Sequence, residues 1–299
     1  DDDSAPDQAG TSWGRAFKHL QDALLVAGDG DVIHVAHGVY RPDLSDAHPE
    51  WFGDRTRSFF TRQSVKIYGG FAGVLAPNPS DRDPAVYPTV LSGDLLGNDP
   101  GLLNASAVDE SDPLRSDNSF VVVMVSKEEK SLATDVLIDG LHIQAAFHQR
   151  DLSLGLTGLG GGLVCSSSGK VTVKLKGVHV VGNFAGAQGG GIYNDGGSVQ
   201  VKDSVIRGNA SRVGAGISSL SMRSEGVSGF EATQVIFEGN CLVSGLEEEP
   251  VMGAACSSMG LEGASVLRID NCLFLQNSAL TSGGSGRGCL ATWRSGTSR

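Results

Sequence analysis

The sequence predicts an all-β chain, a parallel β-helix or solenoid preceded by an N-terminal amphipathic capping helix. Three observations predict it. One segment of alternating apolar and polar residues recurs five times, an asparagine closes four of the five copies, and glycine supplies 42 of 299 residues, about twice the usual ~7%.

The copies are "VLIDGLHIQAA" (136–146), "VKLKGVHVVGN" (173–183), "VQVKDSVIRGN" (199–209), "FEATQVIFEGN" (230–240) and "LRIDNCLFLQN" (267–277). Their last residues step by 37, 26, 31 and 37, so the segment is constant while the connection varies. Val136, Val173, Val199, Phe230 and Leu267 share one column, and Ile138, Leu175, Val201, Ala232 and Ile269 share another two residues on. The positions between and after them are polar in nine of ten cases, which is the period of two of a strand with one buried face. A Gly, Asp, Gln or Asn then breaks the strand. A second apolar stretch follows, with inward columns Leu141, Val178, Ser204, Val235, Cys272 and Ile143, Val180, Ile206, Phe237, Phe274. Units this far apart are too separated for hairpins, and stacking each on the last in parallel encloses a continuous apolar core.

Asn183, Asn209, Asn240 and Asn277 recur once per coil. Amides stacked ~4.8 Å apart can hydrogen-bond along the stack, giving a structural asparagine ladder. Gly189, Gly190 and Gly191 follow the first of these asparagines, and Gly214, Gly216 and Gly253 follow later ones. A phosphate loop occurs once and opens a helix; glycines that recur with the repeat are read as turns.

Ahead of the repeat, Trp13, Phe17, Leu20 and Leu24 fall on one helical face, with Thr11 or Ser12 as cap and Gly28 as terminator. Residues 1–30 are therefore read as tail and capping helix, covering the first coil's edge. Residues 31–135 are read as irregular early coils, with strands in "DVIHVAHGVY", "SVKIYGGF", "YPTVLSGD" and "SFVVVMVS", and 136–299 as the repeat coils of the same domain. The long loops 41–63 and 92–118 are the expected seat of any binding function.

A formal charge of −11 argues against nucleic acid as partner, and no apolar run reaches the ~18 residues of a membrane-spanning helix. The start of the chain carries no signal-peptide pattern. Cys165, Cys241, Cys256, Cys272 and Cys289 are odd in number without C-x-x-C spacing, so they read as packing residues. Calcium is the one cofactor with candidate ligands: Asp94, Asn98 and Asp99 place hard oxygens in one turn, although turns are rich in these residues anyway. His142 and His179 share an outward column but lack a third ligand. Lys174, Lys176 and Lys202 form a small basic cluster that Glu231 and Asp270 interrupt in the same columns. No catalytic residue is identified, because no paired-carboxylate or nucleophile motif stands out.

"FEGN" (237–240) and "FLQN" (274–277), with "GGGI" (189–192) and "GAGI" (214–217), resemble the F-x-x-N and G-G-A-I elements of polymorphic outer membrane protein repeats. Val180 and Ile206 replace the family Phe in two copies. "GTSWGRAFKHLQDAL", "GDVIHVAHGVYRP" and "KIYGGFAG" are similar to the N-terminal region of large bacterial β-helix surface proteins. The resemblance implies a right-handed parallel β-helix of the pectate-lyase-like superfold, secreted or at the cell surface. It also implies a non-catalytic structural or adhesive role, with a glycan or surface protein as partner. The alternative is a polysaccharide lyase or glycoside hydrolase on the same fold.

Overall fold

Alternating strands that bury one face must find neighbours for both edges, and this chain finds them in its own adjacent repeats. The structure, a computed structural model, describes residues 9–99, 112–127, 133–151, 153, 155–167, 170–221, 227–243, 253–260 and 264–279. It is nearly all β, its strands mostly parallel and gathered in three large sheets, an arrangement compatible with a parallel β-helix. Sheet I contains twelve strands, sheet II six and sheet III five. From Val171 the chain visits them cyclically: Val171–Lys176 and His179–Val181 in I, Phe184–Gln188 in III, Ile192–Asp195 in II, then Ser198–Arg207 back in I.

The register follows the repeat columns. Val136 pairs with Val173, Val173 with Val199, Val199 with Phe230, and Phe230 with Leu267. Ile143, Val180, Ile206, Phe237 and Phe274 are likewise abreast. All but the last member of each column are buried, and each such side chain removed from water contributes roughly 1.5–3 kcal/mol.

Two corners of each coil are set by the backbone. The strand break in sheet I is left-handed in every copy, at Gly140, Gly177, Asp203, Gln234 and Asn271, with φ from 48° to 73°. The residue before each ladder position is left-handed too, at Ala145, Gly182, Gly208, Gly239 and Gln276. Short polar side chains and glycine tolerate this region best, and they fill four of the five breaks; Gln234 is the exception.

At the N-terminal end the helix is shorter than its apolar spacing predicts. Trp13–Arg15 form one 3-10 turn, Ala16 is extended (ψ 150°), and helix α1 spans only Leu20–Val26, with His19 as N-cap and Ala27 as C-cap. Trp13 and Phe17 go to other partners. The Trp13 ring packs 5.5 Å from Phe71 and its Nε1 donates to Ser80 Oγ, while Phe17 lies against Gly10. Leu20 and Leu24 of α1 join the main core with Val35, Tyr40 and Phe59.

The 41–63 segment also differs from a plain loop, because Phe59–Thr61 is the first strand of sheet II, paired with Val123–Lys127. Sheet III begins, among the described residues, only at Phe147–His148. In the coils before it, residues from the two long loops meet at that corner instead.

Candidate functional site

The corner ahead of the first described strand of sheet III is built by Arg55 and Asn118. Arg55 Nε donates to Asn118 O (2.6 Å) and its guanidinium donates to Phe147 O (3.1 Å), with the Phe120 ring 4.6 Å beneath it. The Phe120 N–H in turn donates to Arg55 O. A cation thus ties both long loops to the first strand of sheet III. Burial pulls the Arg55 pKa down and the Asp117 carboxylate opposes that shift.

Asp94, Asn98 and Asp99 do lie together in this region, and both Asp94 oxygens face N–H donors. Asp94 Oδ1 accepts from the N–H groups of Gly97 (2.6 Å) and Asn98 (3.1 Å), and Oδ2 accepts from Asp99 N–H (3.1 Å). Arg41 Nε donates to Asp94 O. Asp99 Oδ2 accepts from Asn118 Nδ2 (2.8 Å), while its Oδ1 is buried without a hydrogen-bond partner. Burial pushes the Asp99 carboxyl above its ordinary pKa, with the Asn118 amide and Arg115 pulling the other way. A backbone-capped carboxylate is a loop-closing device. Among the described residues no group of three or more His, Cys, Asp or Glu is placed to hold a metal ion.

The asparagines make a continuous hydrogen-bonded column. Asn183 Nδ2 donates to Asn209 Oδ1 (3.0 Å), Asn209 Nδ2 to Asn240 Oδ1 (3.0 Å), and Asn240 Nδ2 to Asn277 Oδ1 (2.9 Å). Each also donates its backbone N–H to the same oxygen, at 3.1 Å. The second amide hydrogen goes to a carbonyl one coil back, Ile143, Val180, Ile206 or Phe237. The first repeat has Ala146 here, whose N–H donates to Asn183 Oδ1.

Gly189 has φ +68°, and Gly190 and Gly191 lie against the next coil. A Cβ on Gly190 would sit 2.3 Å from Ala210 O, and one on Gly191 2.5 Å from Gly216 O. The first glycine turns the chain and the other two let stacked backbones approach.

On the outer face of sheet I, His142 and His179 are abreast with ring centroids 4.5 Å apart. Their column runs Val39, Val90, His142, His179, Val205, Ile236, Leu273. Burial depresses the His142 pKa to about 4, with His179 adding to it, and burial followed by Arg207 lowers that of His179. In the next two outward columns the face is charged. Asp139 pairs with Arg82 (2.5 Å) and with Lys176 (3.8 Å), and Glu231 pairs with Arg268 (2.7 Å). Lys174, Lys176 and Lys202 therefore sit on a face of mixed sign.

Two cavities flank α1. One of about 560 Å³ is lined by Trp13, Phe17, Leu20, His34 and Tyr40, and one of about 310 Å³ by Leu25, Trp51, Arg57, Phe60 and Met124. Neither brings two carboxylates together. Cys165, Cys256 and Cys272 are free thiols, and Cys165 and Cys241 are buried; burial pushes the Cys165 and Cys256 thiols up to about 12. Cys289 lies outside the described residues. No helix among the described residues is long and apolar enough to cross a membrane.

No family model, no curated protein and no solved structure matches the chain. Sequence reasoning identified the two loops but not Arg55, Asn118 and Arg57, the residues that organise them. Arg57 packs over Trp51 at 4.3 Å, and Trp51 stacks on His48 at 4.1 Å. An arginine in a loop has no periodicity to mark it, so only the aromatic residues of "HPEWFGDR" offered a signal.

Proposed function

We propose that the chain is a non-catalytic structural or adhesive module, a right-handed parallel β-helix displayed outside the cell or on its surface, whose partner is a glycan or another surface protein. The handedness rests on the general preference of parallel crossovers, and the surface assignment on the resemblance of the F-x-x-N and G-G-A-I elements to polymorphic outer membrane protein repeats.

One observation carries the non-catalytic reading. In the loop-bearing corner, both Asp94 oxygens accept backbone N–H groups, Asp99 accepts the Asn118 amide and Asp117 accepts the Leu96 N–H. These carboxylates close loops. A glycosidase needs a pair free to flank a scissile bond, and a lyase needs a basic acceptor beside one. The deciding assay incubates the protein with pectin, alginate and animal glycosaminoglycans and follows unsaturated and reducing ends. The expected result is no release; turnover of any of them would replace this reading with the enzymatic one.

A further inference from the structure

We propose that the cleft between α1 and the start of sheet II, walled by Leu25, Trp51, Arg57, Phe60 and Met124, binds an acidic sugar, a hexuronate ring whose carboxylate meets Arg57. The inference deepens the surface function proposed above and rests on its reading of a glycan as partner, to which it gives a chemistry and a place.

The cleft, about 310 Å³, is formed entirely within residues 9–99 and 112–127. That volume lies at the low end of small-molecule sites, ~300–1,000 Å³, and suits about one or two sugar rings. Its floor continues an apolar column on the outer face of sheet II, which runs Phe60, Met124, Val164 and Tyr193. Val164 and Tyr193 are buried, with Leu159 packed against them, whereas Phe60 and Met124 are half-buried and Leu25 beside them is 50% exposed. A contiguous apolar patch rimmed by polar groups is the usual mark of a binding surface, and here it offers contact to the C–H face of a sugar.

The polar rim gives the ligand its charge. Arg57 Nε donates to Asp54 Oδ2 (2.7 Å), and the guanidinium lies 4.3 Å over the Trp51 ring, which stacks on His48 at 4.1 Å. The side chain is thereby held in place, while its two Nη groups have no partner among the described residues. A fixed guanidinium fork matches a planar carboxylate. The nearby acids are engaged already, Asp54 by Arg57 and Thr56, and Glu50 by His48 Nδ1 (3.0 Å). Arg62, 4.9 Å from the Phe60 ring, adds a second cation at the edge. Gln21 and Ser58 also line the cleft. Gln21 is 6% exposed and donates both amide hydrogens, to Pro42 O and Ser58 O (2.9 Å each). Its Oε1 and the Ser58 hydroxyl have no partner among the described residues, so they remain to bond sugar hydroxyls. Hydroxyls, an apolar ring face and one carboxylate together describe a uronate.

Isothermal titration of the full chain tests this with a hyaluronan tetrasaccharide, which carries a carboxylate on alternate rings, a mannuronate trimer, which carries one on every ring, and cellotetraose, which has none. At least one acidic probe is expected to saturate in the millimolar range or below, with cellotetraose weaker by about tenfold or more. Arg57→Gln should weaken the acidic probe by about tenfold or more through loss of the charge-assisted pair. Leu25→Glu, at an exposed helix position, should abolish binding by setting a carboxylate against the ligand's, while circular dichroism stays that of the parent. Binding of neither acidic probe, equal binding of cellotetraose, or acidic binding that both variants leave intact would overturn the proposal. The titration and the cleavage assay fail separately: turnover would replace the non-catalytic reading, whereas absent binding removes the cleft and leaves that reading standing.

Discussion

His142 and His179 stand abreast on successive coils with imidazole centroids 4.5 Å apart, between Val90 on one side and Val205 on the other. Their surroundings favour the neutral rings: burial is the main cause for both, reinforced by His179 for His142 and by Arg207 for His179.

A pH dependence follows. The folded pKa of His142 is depressed to about 4 from 6.5, so the unfolded chain takes up a proton first. The stabilisation is complete above about pH 6.5 and is lost as pH falls toward 4. Discounted for solvent at this partly exposed ring, the His142 shift corresponds to about 1–2 kcal/mol. Carboxylates titrate in part of the same range, so the measurement is a difference: urea unfolding of the parent and of His142→Val between pH 7 and pH 4. The variant should lose less stability on acidification; parallel pH profiles would contradict the assignment.

Asn209→Leu should destabilise by on the order of 2–5 kcal/mol. The substitution leaves the backbone N–H and one amide hydrogen of Asn183 without their shared acceptor in a fully buried column, and unmet buried groups cost about 1–3 kcal/mol each. Ser211→Ala, at a buried hydroxyl two residues on that bonds, among the described residues, to Val213 O (2.8 Å), should cost no more than about 1.5 kcal/mol. Thermal and chemical denaturation of the two variants would order them; equal effects would show that the ladder adds little.

Glycines of the two kinds should separate under substitution. Gly177→Asn is expected to change stability by less than about 1 kcal/mol, since Asp203, Gln234 and Asn271 hold the same left-handed position in later coils. Gly190→Ala should cost several kcal/mol, on the order of an overpacked core site, because its Cβ would meet the Ala210 backbone at 2.3 Å. A benign Gly190→Ala would mean that the stacked coils can separate.

Calcium at millimolar excess should leave the melting temperature unchanged, since Asp94 closes its loop on N–H groups. A rise that saturates with calcium would restore a cation site at Asp94, Asn98 and Asp99 through ligand-linked stabilisation.

The columns of sheet I were legible because a period of two, a break restricted to Gly, Asp, Gln or Asn, and a closing Asn coincide in one segment. Sheets II and III were not, apart from the strand read in "SFVVVMVS", where Val123–Lys127 joins sheet II. Their strands run to five residues at most, as in Phe184–Gln188 and Ile192–Asp195, too short for alternation to show. The helix was overextended because Trp13 and Phe17 satisfy helical spacing while packing on Phe71 and Gly10. At the loop-bearing corner the sequence marked Asp94, Asn98 and Asp99 by composition but carried no sign that Arg55 reaches Asn118, 63 residues away.

The coil register is the central claim, and one pair of variants tests it most directly. Phe237 is fully buried in an inward column, whereas Glu231 lies in an outward column of the same strand, paired with Arg268 at the surface. In chemical denaturation Phe237→Ala should cost about 3–5 kcal/mol through lost burial and a residual cavity. Glu231→Lys should cost about 0.5–1 kcal/mol, the scale of an exposed ion pair. A one-residue slip would exchange the two faces, so a neutral Phe237→Ala beside a severe Glu231→Lys would contradict the stacked-coil account.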